Sequence, residues 1–146
     1  NAYSLDPHVA EIYDQHETQT DDVDLIRMLI AQSGPLRILE PFCGTGRILI
    51  PLATDGHEIV GLDESEHMLD RARAKIERLA PEVQQRIVLY QADATTGTWP
   101  DGFDLVLLGG NCFYELSSAT EQEGCVASAA AALKSGGCVF VDNNHM

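Results

Sequence analysis

Glu40 ends a short apolar run at residues 36–39 and is followed by a turn, Cys43-Gly44-Thr45-Gly46-Arg47. After the turn, Ile48, Leu49, Leu52 and Ala53 recur at helical spacing. A strand, a tight glycine turn and a helix, in that order, build a nucleotide-type site in α/β sheets, because glycine lets backbone approach a ligand that a Cβ would block. The spacing excludes two phosphate sites. A dinucleotide fingerprint has a third glycine three residues after Gly46, where this chain has Leu49, and a Walker loop needs a lysine that is absent here. A carboxylate at position 40 would repel a pyrophosphate and suits a cationic ligand. Asp63 lies 23 residues after Glu40 and 17 after Gly46, at the end of a second apolar run. A carboxylate there can accept hydrogen bonds from both hydroxyls of a ribose. Its structural alternative is an N-cap for the next helix, a role that Ser65 fills better. Asp93, just past a third run, is by itself an ordinary loop acid.

These residues need strands to carry them, and the chain supplies five candidates: residues 36–39, 57–62, 86–91, 103–108 and 138–141. Amphipathic stretches alternate with them. Residues 20–33 read as a cover helix with Val23, Ile26 and Ile30, joined by Leu25 and Leu29, on its apolar face, stopped by Gly34-Pro35. The helix after the turn runs to about Asp55 and stops at Gly56. Residues 65–79 bury Met68, Leu69, Ala72, Ile76 and Leu79. Residues 120–134 are alanine-rich, with Val126, Ala129, Ala130 and Leu133 inward and Lys134-Ser135-Gly136-Gly137 as terminator. Residues 1–17 hold a shorter helix, after Pro7, with Val9, Ile12 and Tyr13 at helical spacing. Trp99 is expected on the rim of the sheet. Alternating strands and helices predict an α/β doubly wound parallel sheet in the order 3-2-1-4-5, with right-handed crossovers.

At 146 residues, 45% of them hydrophobic, the chain suits one domain with a real core. No apolar run approaches the length of a membrane span, and the first residues carry no basic-then-apolar signal, so a cytoplasmic protein with no membrane partner is expected. Cys43, Cys112, Cys125 and Cys138 are spread without a C-x-x-C, which predicts reduced, buried thiols and no metal. The 9 basic and 23 acidic side chains give a net charge of −14, which disfavours a nucleic-acid partner.

The segment Glu40-x-x-x-Gly44-Thr45-Gly46-Arg47 resembles the first motif of class I S-adenosylmethionine (SAM) dependent methyltransferases, small-molecule type. SAM carries an ammonium and a sulfonium and no phosphate, which agrees with the acid at position 40. The family has glycine two residues after that acid, and this chain has Phe42. Asp63-x-Ser65-x-x-Met68-Leu69 resembles the family's second motif, Phe-Asp-Leu-Val at 103–106 its fourth strand, and Leu-Lys-Ser-Gly-Gly-Cys-Val-Phe-Val at 133–141 its late motif. The resemblance covers nearly the whole chain. It implies a Rossmann-like SAM-binding domain over residues 35–146, behind a helical cap at residues 1–34, from which Tyr3 and Tyr13 can face the pocket. Family members continue into two further strands and a hairpin, so a domain lacking its C-terminal strands is expected. The implied cofactor residues are Glu40, Cys43, Gly44, Thr45, Gly46, Arg47, Asp63, Glu64, Met68, Asp93, Ala94, Gly109, Gly110 and Asn111. Among them Asp93 would bond the adenine amino group, the Ala94 amide the ring nitrogen beside it, and Met68 would lie against adenine or simply pack in the core. The product would be S-adenosylhomocysteine.

Methyl transfer from a sulfonium is an in-line displacement that depends mainly on holding donor and acceptor collinear, so no triad is expected. Acceptor-side candidates are Asn111, Tyr114, Asn143 and His145, the last as a proton acceptor. The acceptor is read as a small molecule, for instance an amine. A nucleic-acid amino-methyltransferase is the alternative enzyme, because Glu40-Pro41-Phe42-Cys43-Gly44 resembles the Asp-Pro-Phe-x-Gly turn of those enzymes. Asn111-Cys112-Phe113-Tyr114 echoes their Asn-Pro-Pro-Tyr motif without its prolines. A non-catalytic SAM-binding partner subunit is the alternative from another class. For Asp63→Ala the sequence predicts weaker SAM binding in an intact fold, because Ser65 still caps the next helix.

Overall fold

The computed structural model describes residues 21–95, 99–108 and 119–141. The helices are α1 (Asp21–Ile30), α2 (Leu49–Thr54), α3 (Glu66–Ile76), α4 (Pro81–Gln84) and α5 (Ala119–Ala132). The strands are β1 (Arg37–Pro41), β2 (Glu58–Asp63), β3 (Ile87–Gln91), β4 (Phe103–Leu108) and β5 (Leu133–Val141). The five strands form one sheet in the order β3-β2-β1-β4-β5, and every neighbouring pair is parallel. This is the predicted doubly wound arrangement. Among the described residues no helix is long and apolar enough to cross a membrane.

β1, at the centre of the sheet, and its neighbour β4 are buried almost throughout, as a strand covered on both faces must be. Successive residues feed opposite layers. Ile38, Leu105 and Leu107 join Val23 and Ile26 of α1, Leu49 and Leu52 of α2 and Leu69 of α3 in one core. Leu39, Val106 and Leu108 join Trp99 and the Cys125, Ala129 and Ala132 face of α5 in the other. Each fully buried Leu or Ile stabilises the fold by about 1.5–3 kcal/mol.

Two predicted helix faces are corrected. Leu25 and Leu29 of α1 are exposed, as is Met28. At about 100° per residue Leu25 and Met28 fall on the far side from the Val23, Ile26 and Ile30 stripe, and Leu29 lies on its flank. In α5 the inward face is Cys125, Ala129 and Ala132, while Val126 and Ala130 point outward. Alanine occurs all round that helix, so its sequence marks the buried stripe poorly. Leu133 belongs to β5, which begins five residues earlier than predicted. It pairs with Phe103, and pairing resumes at Leu105 with Cys138, so Lys134 to Gly137 form an irregularity inside the strand and not a terminator before it. Gly137 suits the close approach there, since a Cβ would lie 3.0 Å from the carbonyl oxygens of Phe103 and Asp104. Within β5, Cys138 is exposed, against the expectation of buried thiols, while Cys43 and Cys125 are buried. α4 was not predicted; it follows Ala80 with Pro81 at its first turn. The expected helix at residues 1–17, with Tyr3 and Tyr13, lies outside the described residues.

Candidate cofactor cleft

Strand β1 delivers Glu40 to its carboxyl end, where the side chain is only 3% exposed. The chain then turns sharply. Phe42 adopts φ +60°, Gly44 φ +58° and Gly46 φ +86°, and Phe42 is the only non-glycine residue at positive φ among those described. The backbone takes a glycine conformation where the family has glycine, with a phenylalanine in it. Such a residue costs roughly 1–2 kcal/mol. The turn is pinned by the Cys43 N–H to the Leu62 carbonyl (2.9 Å), the Gly46 N–H to the Cys43 carbonyl (3.2 Å) and the Ile50 N–H to the Gly46 carbonyl (3.1 Å).

Asp63 ends β2 beside this turn. Its Oδ2 accepts from the Gly44 N–H and its Oδ1 from the Ser65 N–H, both at 2.9 Å. Ser65 Oγ accepts from the Met68 N–H at 3.2 Å, so Ser65 is the N-cap of α3, as predicted. Each Asp63 oxygen keeps acceptor capacity beyond its one backbone donor. Burial raises the Asp63 pKa above its ordinary value, the two backbone N–H groups oppose that rise, and nearby Glu64 adds to it. The Cys43 thiol is pushed well up by burial first, then by the charges of Glu40 and Asp63. A neutral thiol is inert as a nucleophile.

At the end of β3, Asp93 Oδ1 accepts from the Thr95 N–H (2.9 Å) and the Thr95 hydroxyl (2.6 Å). The Ala94 carbonyl accepts from the buried Trp99 indole N–H at 2.9 Å. The Ala92 N–H donates to the Asp63 carbonyl at 3.0 Å, and Gln91 Nε2 donates to the Glu64 carbonyl at 3.2 Å. The carboxyl ends of β2 and β3 are therefore tied together.

Between these ends lies a cleft of about 200 Å³. Of the predicted cofactor residues, Asp63, Glu64, Asp93 and Ala94 line it together. Glu40, Cys43, Thr45 and Met68 are buried, and with Gly44 and Gly46 they are not part of the lining. Arg47 is half-buried and also outside the lining. Gly109, Gly110, Asn111, Tyr114, Asn143 and His145 fall outside the described residues. Sequence reasoning missed three lining residues, Phe42, Thr95 and Glu121 at the start of α5. Phe42 was visible as a departure from one motif and a match to another, the Asp-Pro-Phe-x-Gly turn, but not as a cleft residue. It also missed Gly61, where a Cβ would lie 2.9 Å from Cys43 Sγ, Leu49 Cδ2 and Leu89 Cδ2. An isolated glycine inside an apolar strand is the signal for such close approach.

The sheet order, the glycine turn and strand-end acids facing one cleft define a Rossmann-like methyltransferase fold. A family model described as "Methyltransferase domain" matches residues 38–137, and the chain belongs to that family. It is 36% identical over 103 residues to the "Putative methyltransferase YqeM" of Bacillus subtilis (strain 168), covering 68% of this chain and 39% of that protein. It is 34% identical over 91 residues to the "23S rRNA (uracil(1939)-C(5))-methyltransferase RlmD" of Alkalilimnicola ehrlichii, covering 59% of this chain and 20% of the relative. Among solved structures, the glycopeptide N-methyltransferase MtfA complexed with SAM superposes with a TM-score of 0.71 at 26% identity, over 82% of this chain and 53% of that one. The chain thus spans well under half the length of these relatives and about half of that structure.

Proposed function

We propose that the chain is the SAM-binding part of a methyltransferase acting on a small-molecule acceptor in the cytoplasm. The observation that carries the reading is Asp63, held at the end of β2 by two backbone N–H groups and lining one cleft with Asp93 and Ala94. Family membership and the likeness to a SAM-bound N-methyltransferase support it. The residues present fit SAM. Asp63 has acceptor capacity left for ribose hydroxyls, Asp93 and Ala94 sit one strand over for adenine, and the lining offers carboxylates to a cationic ligand.

SAM supplies a methyl group on a sulfonium, a leaving group that needs no proton to depart. The chain's own residues bind and orient. Asp63 fixes the ribose, the Trp99 bond to Ala94 holds the adenine side, and the Gly44 N–H, bonded to Asp63 Oδ2, keeps that carboxylate in place. Such positioning accounts for most of the acceleration in a displacement of this kind. The small-molecule acceptor is supported by the −14 charge, which opposes binding to phosphate backbones. An RNA acceptor is the second reading, favoured by the identity to RlmD.

Calorimetric titration of SAM, followed by a methyl-transfer screen of amines, carboxylic acids, phenols and a 23S rRNA fragment, tests both steps. Micromolar SAM binding and turnover of a small acceptor are expected. No SAM binding overturns the reading; salt-sensitive turnover of the RNA alone moves it to the second.

A further inference from the structure

Resting on the SAM reading above, we infer that Phe42 is a specificity-determining residue that makes the cleft prefer the positively charged donor, SAM, over its uncharged thioether product. Phe42 holds a backbone conformation that glycine adopts freely and phenylalanine does not, at the end of β1. Its half-buried side chain packs against the second core layer and also lines the cleft. Among the described residues of that lining it is the only aromatic side chain; Asp63, Glu64, Asp93 and Glu121 supply carboxylates, Ala94 and Thr95 small groups.

The place of Phe42 in the sheet says which part of the ligand meets it. The cleft's lining comes from β2 and β3 on one side, through Asp63, Glu64, Asp93, Ala94 and Thr95, and from β1 and α5 on the other, through Phe42 and Glu121. With the ribose at Asp63 and the base over the end of β3, the rest of the ligand must run the opposite way, toward the β1/β4 switch point where doubly wound sheets bind their ligands. The sulfur is attached directly to the ribose 5′ carbon, so it is the first group to pass Phe42. An aromatic face attracts a cation through its quadrupole and has no such attraction for a neutral thioether. The ring thus favours the charged donor and eases release of the product.

The test is titration of SAM and of S-adenosylhomocysteine into wild type, Phe42→Leu and Phe42→Trp, with melting curves for each. Phe42→Leu keeps apolar bulk at the same positive φ and removes the aromatic face. It is expected to weaken SAM about three- to tenfold while leaving the product nearly unchanged. Phe42→Trp is expected to keep or widen the preference for SAM, and it decides the question if the Leu variant fails to fold. An unchanged SAM-to-product ratio in folded Phe42→Leu overturns the inference, as does an equal loss for both ligands, which would make the ring only an apolar wall. A narrowed ratio in Phe42→Trp also overturns it. Wild type that binds neither ligand overturns the SAM reading itself, and is told apart because it needs no variant.

Discussion

The Asp63 carboxylate accepts one backbone N–H with each oxygen, so it holds the Gly44 turn as well as facing the cleft. This changes what its removal does. Sequence reasoning expected an intact fold for Asp63→Ala because Ser65 caps α3, and Ser65 does cap it. The Gly44 and Ser65 amides nevertheless lose their acceptor, and an unmet buried donor costs about 1–3 kcal/mol. We predict that Asp63→Ala lowers unfolding stability by about 2 kcal/mol and SAM affinity roughly thirtyfold, equivalent to about 2 kcal/mol. Urea titration and calorimetry read the two separately; undiminished stability would mean that water replaces the carboxylate on both amides. Position 63 was legible because an acid at a strand end has a distinctive place. Its two amide partners were not, since they depend on how the turn folds back. Gly61 makes the same point from beneath. Cys43, Leu49 and Leu89 crowd the space that a methyl group would take, so Gly61→Ala should cost about 1–3 kcal/mol through overpacking. A shift of less than half a kcal/mol in a urea melt would mean that the turn gives way freely.

At the scale of elements, α1 is anchored near the amino ends of the strands, away from the cleft. Arg27 makes two hydrogen bonds to Asp55, both at 2.6 Å, just after α2. Beside them, the Leu36 N–H donates to Nδ1 of buried His57 at 2.9 Å, which ties the chain entering β1 to the residue before β2. Nδ1 can accept only while it is unprotonated. Burial lowers the His57 pKa below its ordinary value, with Asp55 opposing. Above about pH 6.5 the histidine is neutral in both the folded and unfolded chain, and its contribution is complete. As pH falls through that value the unfolded chain binds the proton first, so stability declines until the lower folded pKa is reached, and then levels off. We predict a loss of unfolding free energy between pH 7.5 and 5.5 that is markedly smaller in His57→Gln; equal slopes for the two proteins would remove His57 as the cause. The strands and their order were readable because buried parallel strands are apolar runs bounded by turn residues. The faces of α1 and α5 were not, because Leu25, Met28 and Leu29 enrich α1 on its solvent side and alanines blur α5.

Across the whole chain, acids outnumber bases 23 to 9. The ion pairs at Arg27–Asp55, at Arg73 with Glu66 and Asp70, and at Lys134–Asp104 are at the surface. Pairs of this kind contribute about 0–1 kcal/mol each. A net charge of −14 works against them, because a compact state forces like charges together that an unfolded chain can separate. Added salt screens both effects. At about 0.5 M the screening length shrinks from about 10 Å at 0.1 M to a few ångströms. That weakens the long-range repulsion more than it weakens pairs in direct contact. The melting temperature should therefore rise with sodium chloride between about 0.05 and 0.5 M; a gain of about 1 kcal/mol corresponds to roughly 3 °C for a domain of this size. Chloride is the right anion, since sulfate would stabilise by exclusion from the surface whatever the charge. A melting temperature that falls over this range would mean that surface pairs of this kind outweigh the summed repulsion. The same charge argument that disfavours a nucleic-acid acceptor would then lose its force, because it too takes the field of the whole molecule to dominate its local patches.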